Sequence, residues 1–299
     1  MLPYPRWSRS TRPHVAGNTT KGPPCRRLGS RIVCAALLVG APTSAAAAQV
    51  VDRVADVFDE SGHPFRTPAG SPLDPVHRIA VVSADRAGER RTVAFADLGD
   101  RIGFWIHRNP SGQIELAGAV LGGALSRFDL ESPNNDFIEV HYRVGFQLRA
   151  RIGGLAARAE FYHVSSHLGD EFLIQSGREP ISTSREGLDL LFQGSPVAGL
   201  VLYGGPGFVL RSTESFKTLS ARWGADWETP RASGVRPYAS ADFFSWSELD
   251  WDPSIALEAG LALGRRVRLG VLAGFGPSRA EQFFREDESV VGLSVSYLR

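Results

Sequence analysis

The chain has 299 residues, with 33 Lys and Arg against 32 Asp and Glu for a net charge of +1, and 22% of its residues are charged. Near-neutral charge, with basic residues alternating with acidic ones, excludes a nucleic-acid-binding surface. No apolar run of roughly 18 residues or more is present to make a transmembrane helix, which leaves a soluble sheet protein or a membrane-crossing barrel.

Residues 1–48 read as a leader. Arg26, Arg27 and Arg31 stand before or at the start of a short apolar core from Ile32 to Gly40, and Pro42 and the small-residue run Ala45 to Ala48 follow it. That order predicts export and cleavage near Ala48. Cys25 and Cys34 both fall in this stretch, so the exported chain is expected to use no disulfide or thiolate chemistry. The apolar core follows Cys34 and so gives it no lipid-anchor setting. Residues 49–76 are polar and proline-rich, with Val50, Val51, Val54, Val57 and Phe58 at helical spacing. They are expected to form a short periplasmic tail that carries no chemistry.

Residues 77–299 are expected to form one β-barrel. Between Ile138 and Arg151 every second residue is apolar (Ile138, Val140, Tyr142, Val144, Phe146, Leu148, Ala150), while Glu139, His141, Arg143, Gln147 and Arg149 fall between them. Such a strand keeps its apolar side chains on one face and its charges on the other. Its length favours a membrane: soluble strands average about 5–6 residues, whereas a barrel strand needs roughly 9–11. Lys217 to Trp227, Ile255 to Leu263, Val267 to Phe275 and Val291 to Tyr297 repeat the alternation.

The connections then sort by length. Asn109 to Gly112, Gly153 to Gly154, Gly194 to Pro196, Thr229 to Gly234 and Gly264 to Arg265 are short, whereas Leu168 to Thr183 and Pro277 to Glu288 are long. Alternating short and long links predict an all-β, closed antiparallel transmembrane barrel of roughly 12 strands in the bacterial outer membrane. Phe104, Trp105, Trp223, Trp227, Phe243, Phe244, Trp246 and Trp251 lie near expected strand ends, as interfacial anchors do. Arg143, Arg149, Arg151, Arg158, Arg185, Arg222 and Arg236 are expected inside, paired with Glu139, Glu160, Asp189, Asp226 and Asp242. Gly204, Gly205 and Gly207 read as wall glycines, since no helix follows to form a phosphate cradle.

The stretch His141 to Gly145 and the run Phe161-Tyr162-His163-Val164-Ser165-Ser166-His167-Leu168-Gly169-Asp170-Glu171-Phe172 resemble the bacterial domain-of-unknown-function family 1207. Ser184 to Leu191, Tyr203 to Gly207, Trp246 to Trp251 and Pro277 to Phe284 are similar to it in the same order. The resemblance implies an exported outer-membrane protein and no particular activity. It also implies the barrel assembly machinery and outer-membrane lipid as partners, and it leaves the oligomeric state open.

One cluster in this region has a chemistry of its own. In Leu155 to His167 the odd positions form the apolar face, so His163 and Ser165 are expected to emerge towards lipid near the outward end of the strand. Glu186 shares a face with Leu188, Leu190 and Phe192 on the next strand, so a hairpin brings it to the same level. Serine, histidine and an orienting carboxylate together suit acyl transfer, with backbone N–H groups near Ser166 or Gly169 as expected oxyanion donors. The arrangement resembles outer-membrane phospholipase A and lipid A deacylases, which carry a His-x-Ser pair on the barrel exterior. The plainer reading is that polar residues simply populate the headgroup level. A passive barrel or small porin is the alternative function, and a soluble lectin-like sheet protein is a third. His163, His167, Asp170 and Glu171 show no zinc spacing, and calcium at Asp170 and Glu171 has no motif behind it.

Overall fold

A computed structural model describes residues 63–181, 183–230, 234–264 and 266–298. The leader, its cleavage site and both cysteines lie outside the described residues. Twelve strands, each antiparallel to its neighbours, close into a barrel in which the first pairs with the last. They are β1 (His77–Arg86), β2 (Glu89–Arg108), β3 (Ile114–Asp129), β4 (Phe137–Ile152), β5 (Leu155–Leu168) and β6 (Ser184–Val197). The series continues with β7 (Leu200–Ser212), β8 (Leu219–Glu228), β9 (Val235–Trp246), β10 (Pro253–Leu263), β11 (Val267–Pro277) and β12 (Asp287–Tyr297). Among the described residues one short helix, α1 (Asp170–Ser176), follows β5, and 3-10 turns cover Ser247–Leu249 and Glu281–Phe283.

The exterior is apolar because the alternation puts it there. Leu155 is 70% exposed, Leu293 67%, Leu98 66% and Ile79 64%, and Trp105, Trp223, Trp227 and Trp251 also face outward. This many exposed large hydrophobic side chains is a lipid-facing surface, which removes the soluble-sheet reading. Several expectations need correction. Trp246 and Phe244 share the inward face of β9. The Trp246 ring, 4% exposed, packs on Phe216 and Phe284, so it is not an interfacial anchor. Ile138 is drawn inward at a register shift opposite Arg127 and Phe128, where it joins a buried cluster with Leu168 and Phe172. The turn after β6 falls at Ala198 and Gly199 rather than at Gly194 to Pro196, because β6 runs on to Val197.

Inside, the charges neutralise one another. Arg143 contacts Glu160 at 2.5 Å and Asp189 at 3.1 Å, and Arg222 contacts Asp242 at 2.8 Å. Both ends of the lumen are occupied. At the long-loop end the segment between β11 and β12 folds inward: Arg279 pairs with Asp242, Glu281 with Arg185, and Gln282 donates to the Ser166 hydroxyl at 2.7 Å. There Phe172 of α1 meets Phe283 edge-on at 5.8 Å.

The opposite end is filled by residues 63–76, expected as a tail without chemistry. Phe65, Ser71 and Asp74 of that stretch are all at or below 2% exposure, and Gln193, Asp226 and Ser240 accept from its backbone. A lumen lined with arginines offers a carboxylate more than water does, which is why the segment enters. Asp74 lies 2.8 Å from Arg158, 2.7 Å from Arg222 and 3.8 Å from Arg101. Burial alone would raise its pKa, but the three guanidinium groups win and hold it well below the ordinary carboxylate value. Removing one partner from a buried charge cluster costs about 3–5 kcal/mol, because the remaining charges lose their compensation. Asp74→Ala is therefore expected to lower the temperature at which the folded, fast-migrating gel band is lost, while Asp74→Glu retains most of it. Equal transition temperatures for parent and Asp74→Ala would show that the segment does not hold the lumen together.

Candidate functional site

β5 alternates as its sequence requires. Ala156, Arg158, Glu160, Tyr162, Val164, Ser166 and Leu168 turn inward, and Leu155, Ala157, Ala159, Phe161, His163, Ser165 and His167 turn outward. His163 and Ser165 thus share the lipid face near the long-loop end. On β6, Glu186 is half-buried and outward, between inward Arg185 and Gly187. The register places Glu186 directly opposite His163, and Ser184 opposite Ser165. The hairpin brings all three expected residues together.

Strand geometry sharpens that placement. The Ser166 N–H donates to the Thr183 carbonyl at 3.2 Å, which makes 166 and 183 a hydrogen-bonded pair. The pairs 165/184 and 163/186 are then of the non-hydrogen-bonded kind, in which Cα atoms approach to about 4.5 Å and side chains lie closer. Gly187 fixes the local wall: a Cβ there would stand 2.4 Å from the Tyr162 ring, so only glycine lets that ring lie against β6. Arg143 covers the same ring at 3.7 Å from its centroid, which locks β4, β5 and β6 behind the site.

The arrangement lacks one expected part. The Ser166 N–H is spent on Thr183, and the Gly169 N–H donates to the Ile138 carbonyl at 2.9 Å. Neither amide is available to an oxyanion, because each already donates to a backbone carbonyl. The Ser166 hydroxyl also points into the lumen, bonded to Thr183 and Gln282. Side-chain donors on the outward face were not anticipated. Tyr142 of β4 lies opposite Ser165, its ring 6.3 Å from that of His167. Arg211 of β7 lies opposite Glu186, with 3.9 Å between guanidinium and carboxylate and a side chain 80% exposed. Tyr142 was legible in the alternation of its strand. The face of Arg211 was not, because a register shift between Glu186 and Gly187 skips Leu210.

Ser165, His163 and Glu186 are adjacent, and Glu186 pairs with Arg211; among the described residues no hydrogen bond links the three to one another. Catalytic hydrogen bonds often tighten only when substrate is bound. Among the described residues no group of three or more His, Cys, Asp or Glu side chains could hold a metal ion.

Comparison with known proteins supports the architecture. A family model described as a protein of unknown function, DUF1207, matches residues 78–298. No curated protein matches the sequence significantly. Among solved structures, the Salmonella typhi outer membrane phospholipase, a dimer with bound calcium, is similar with a TM-score of 0.54 at 15% identity. That match covers 82% of this chain and 96% of the phospholipase. Outer membrane phospholipase A from Escherichia coli gives 0.53 at 14% identity, covering 76% of this chain and 99% of its own. An active-site mutant of the Escherichia coli protein gives 0.51 at 14% identity, covering 78% and 94%. At these identities the likeness establishes a shared outer-membrane barrel fold.

Register can be checked by labelling. In a background with Cys25→Ser and Cys34→Ser, Ser165→Cys is expected to react with a membrane-embedded maleimide, and Ser166→Cys is expected to stay unlabelled. Labelling at 166 with protection at 165 would mean a one-residue slip and would remove Ser165 from the lipid face.

Proposed function

We propose that this chain, which belongs to the DUF1207 family of proteins of unknown function, is an outer-membrane serine acyl hydrolase. It would cleave ester-linked acyl chains of outer-leaflet phospholipid or lipid A. The observation that carries this is the outward placement of Ser165, His163 and Glu186 at one level of two paired strands. Polar groups on a lipid-facing wall are costly unless they reach the headgroup zone or do work there.

In this reading His163 takes the Ser165 proton as the hydroxyl oxygen attacks the ester carbonyl carbon. The bond to the leaving alcohol breaks, His163 returns the proton to that alcohol, and water then hydrolyses the acyl-serine by the same route. Glu186 orients the imidazole and stabilises its charged form. With the Ser166 and Gly169 amides spent, stabilisation of the oxyanion falls to side chains, and Tyr142 and Arg211 carry suitable donors on that face. A calcium ion remains an optional addition, to be tested by chelation.

The passive-pore reading has less support, since segments from both ends fill the lumen with charged and aromatic side chains. Delivery by a cleaved leader and insertion by the barrel assembly machinery complete the proposed route to the outer membrane.

The test is mass spectrometry of phospholipid and lipid A incubated with refolded protein, with calcium present or chelated. Ser165→Ala and His163→Ala are expected to lose at least about 10³-fold in acyl release, and Glu186→Gln less. Equal release by parent and Ser165→Ala, or none from a folded parent, would overturn the assignment.

A further inference from the structure

The lumen end that carries the short turns is not filled to its rim. A vestibule of about 400 Å³ opens there, with Arg66, Arg101, Arg151, Arg236 and Arg268 in its wall. Among the described residues the wall also holds two carboxylates, Glu228 and Asp100. Glu228 is shared three ways: Arg236 lies 2.6 Å from it, Arg268 2.7 Å and Arg66 3.2 Å. Asp100 accepts the backbone N–H of Arg101 at 2.7 Å.

The other arginines are no better supplied with negative charge. Arg151 stands 3.2 Å from Glu115, which Arg108 also contacts at 3.1 Å, and it donates to the carbonyls of Pro64 and His63. Arg101 reaches Asp74 only at 3.8 Å, behind Arg158 and Arg222. Asp226, behind the wall, is engaged by the Ala69 N–H and the Ser240 hydroxyl. Among the described residues, guanidinium groups therefore outnumber carboxylates around the opening, in a chain whose net charge is only +1.

Buried donors are left over as well. Nη1 of Arg268 and Nε of Arg101 are buried without a hydrogen-bond partner, on side chains that are each 7% exposed. Unsatisfied buried donors on charged groups are expensive, so these two wall arginines hold positive charge that added anionic oxygens at the vestibule would offset. Arginine forks match the oxygens of a phosphate in geometry and charge. The volume exceeds a bare ion and suits a small molecule.

We propose that this vestibule is a binding site for a phosphate group, carried by a small soluble compound or by a lipid headgroup at the rim of the barrel. The site lies at the opposite end of the barrel from Ser165 and does not depend on the hydrolase reading.

The test uses the full chain refolded in an uncharged detergent. Inorganic phosphate is titrated against chloride at equal ionic strength, with phosphorus NMR line width and thermal midpoint as readouts, and a second arm adds phosphatidylglycerol micelles. Saturable broadening with a midpoint rise of about 5 °C is expected at high occupancy. Arg268→Ala and Arg236→Ala are expected to weaken binding at least about tenfold, and Ser165→Ala to leave it unchanged. If an alanine variant fails to fold, Arg268→Lys keeps the charge and loses the fork, and a similar weakening is expected. Saturation by inorganic phosphate assigns a soluble ligand, and saturation by the lipid alone assigns a headgroup. No effect beyond matched chloride in either arm, or an unchanged effect in both arginine variants, would overturn the proposal.

Discussion

A strand that separates lipid from a charged lumen must alternate residue by residue, and every other feature of this barrel depends on that constraint. One slip would put Arg158 and Glu160 into hydrocarbon and bring Phe161 into the ion-pair network. The charges enforce the register as firmly as the apolar belt does. Arg143 bridges Glu160 on the adjoining strand and Asp189 on the next, so three consecutive strands are tied by one guanidinium.

The same electrostatics explain the two inward segments. A ring of arginines cannot be left with water alone, and Asp74 from one end and Glu281 from the other bring carboxylates to Arg158, Arg222 and Arg185. A buried ion pair adds little by itself, but an unpaired buried arginine is costly, so the plugs are held mainly by what their removal would expose. The result is a rigid wall behind β5 and β6, which is what a constellation on its outer face requires.

Much of this was legible in the sequence because period two is a local property. The alternation from Tyr142 to Arg149 gave the correct faces, the twelve strands followed from the turn signals, and the face of His163, Ser165 and Glu186 could be read before their register. What failed was non-local or irregular. Residues 63–76 look like a tail because the arginines that draw them in are spread over β2, β5 and β8. Trp246 looks like an interfacial anchor until the segment between β11 and β12 folds over it. The amides of Ser166 and Gly169 looked free because sequence does not say where pairing stops, and Arg211 was hidden by a bulge.

If Ser165 is a nucleophile held at the lipid surface by its strand partners, as proposed, covalent labelling will find it. The folded barrel in lipid nanodiscs is treated with a long-chain alkyl sulfonyl fluoride and the modified residue located by peptide mass spectrometry. One adduct is expected, on Ser165, lost in His163→Ala while the barrel stays folded. No adduct on Ser165, or equal labelling with and without His163, would rule out a His163-activated Ser165.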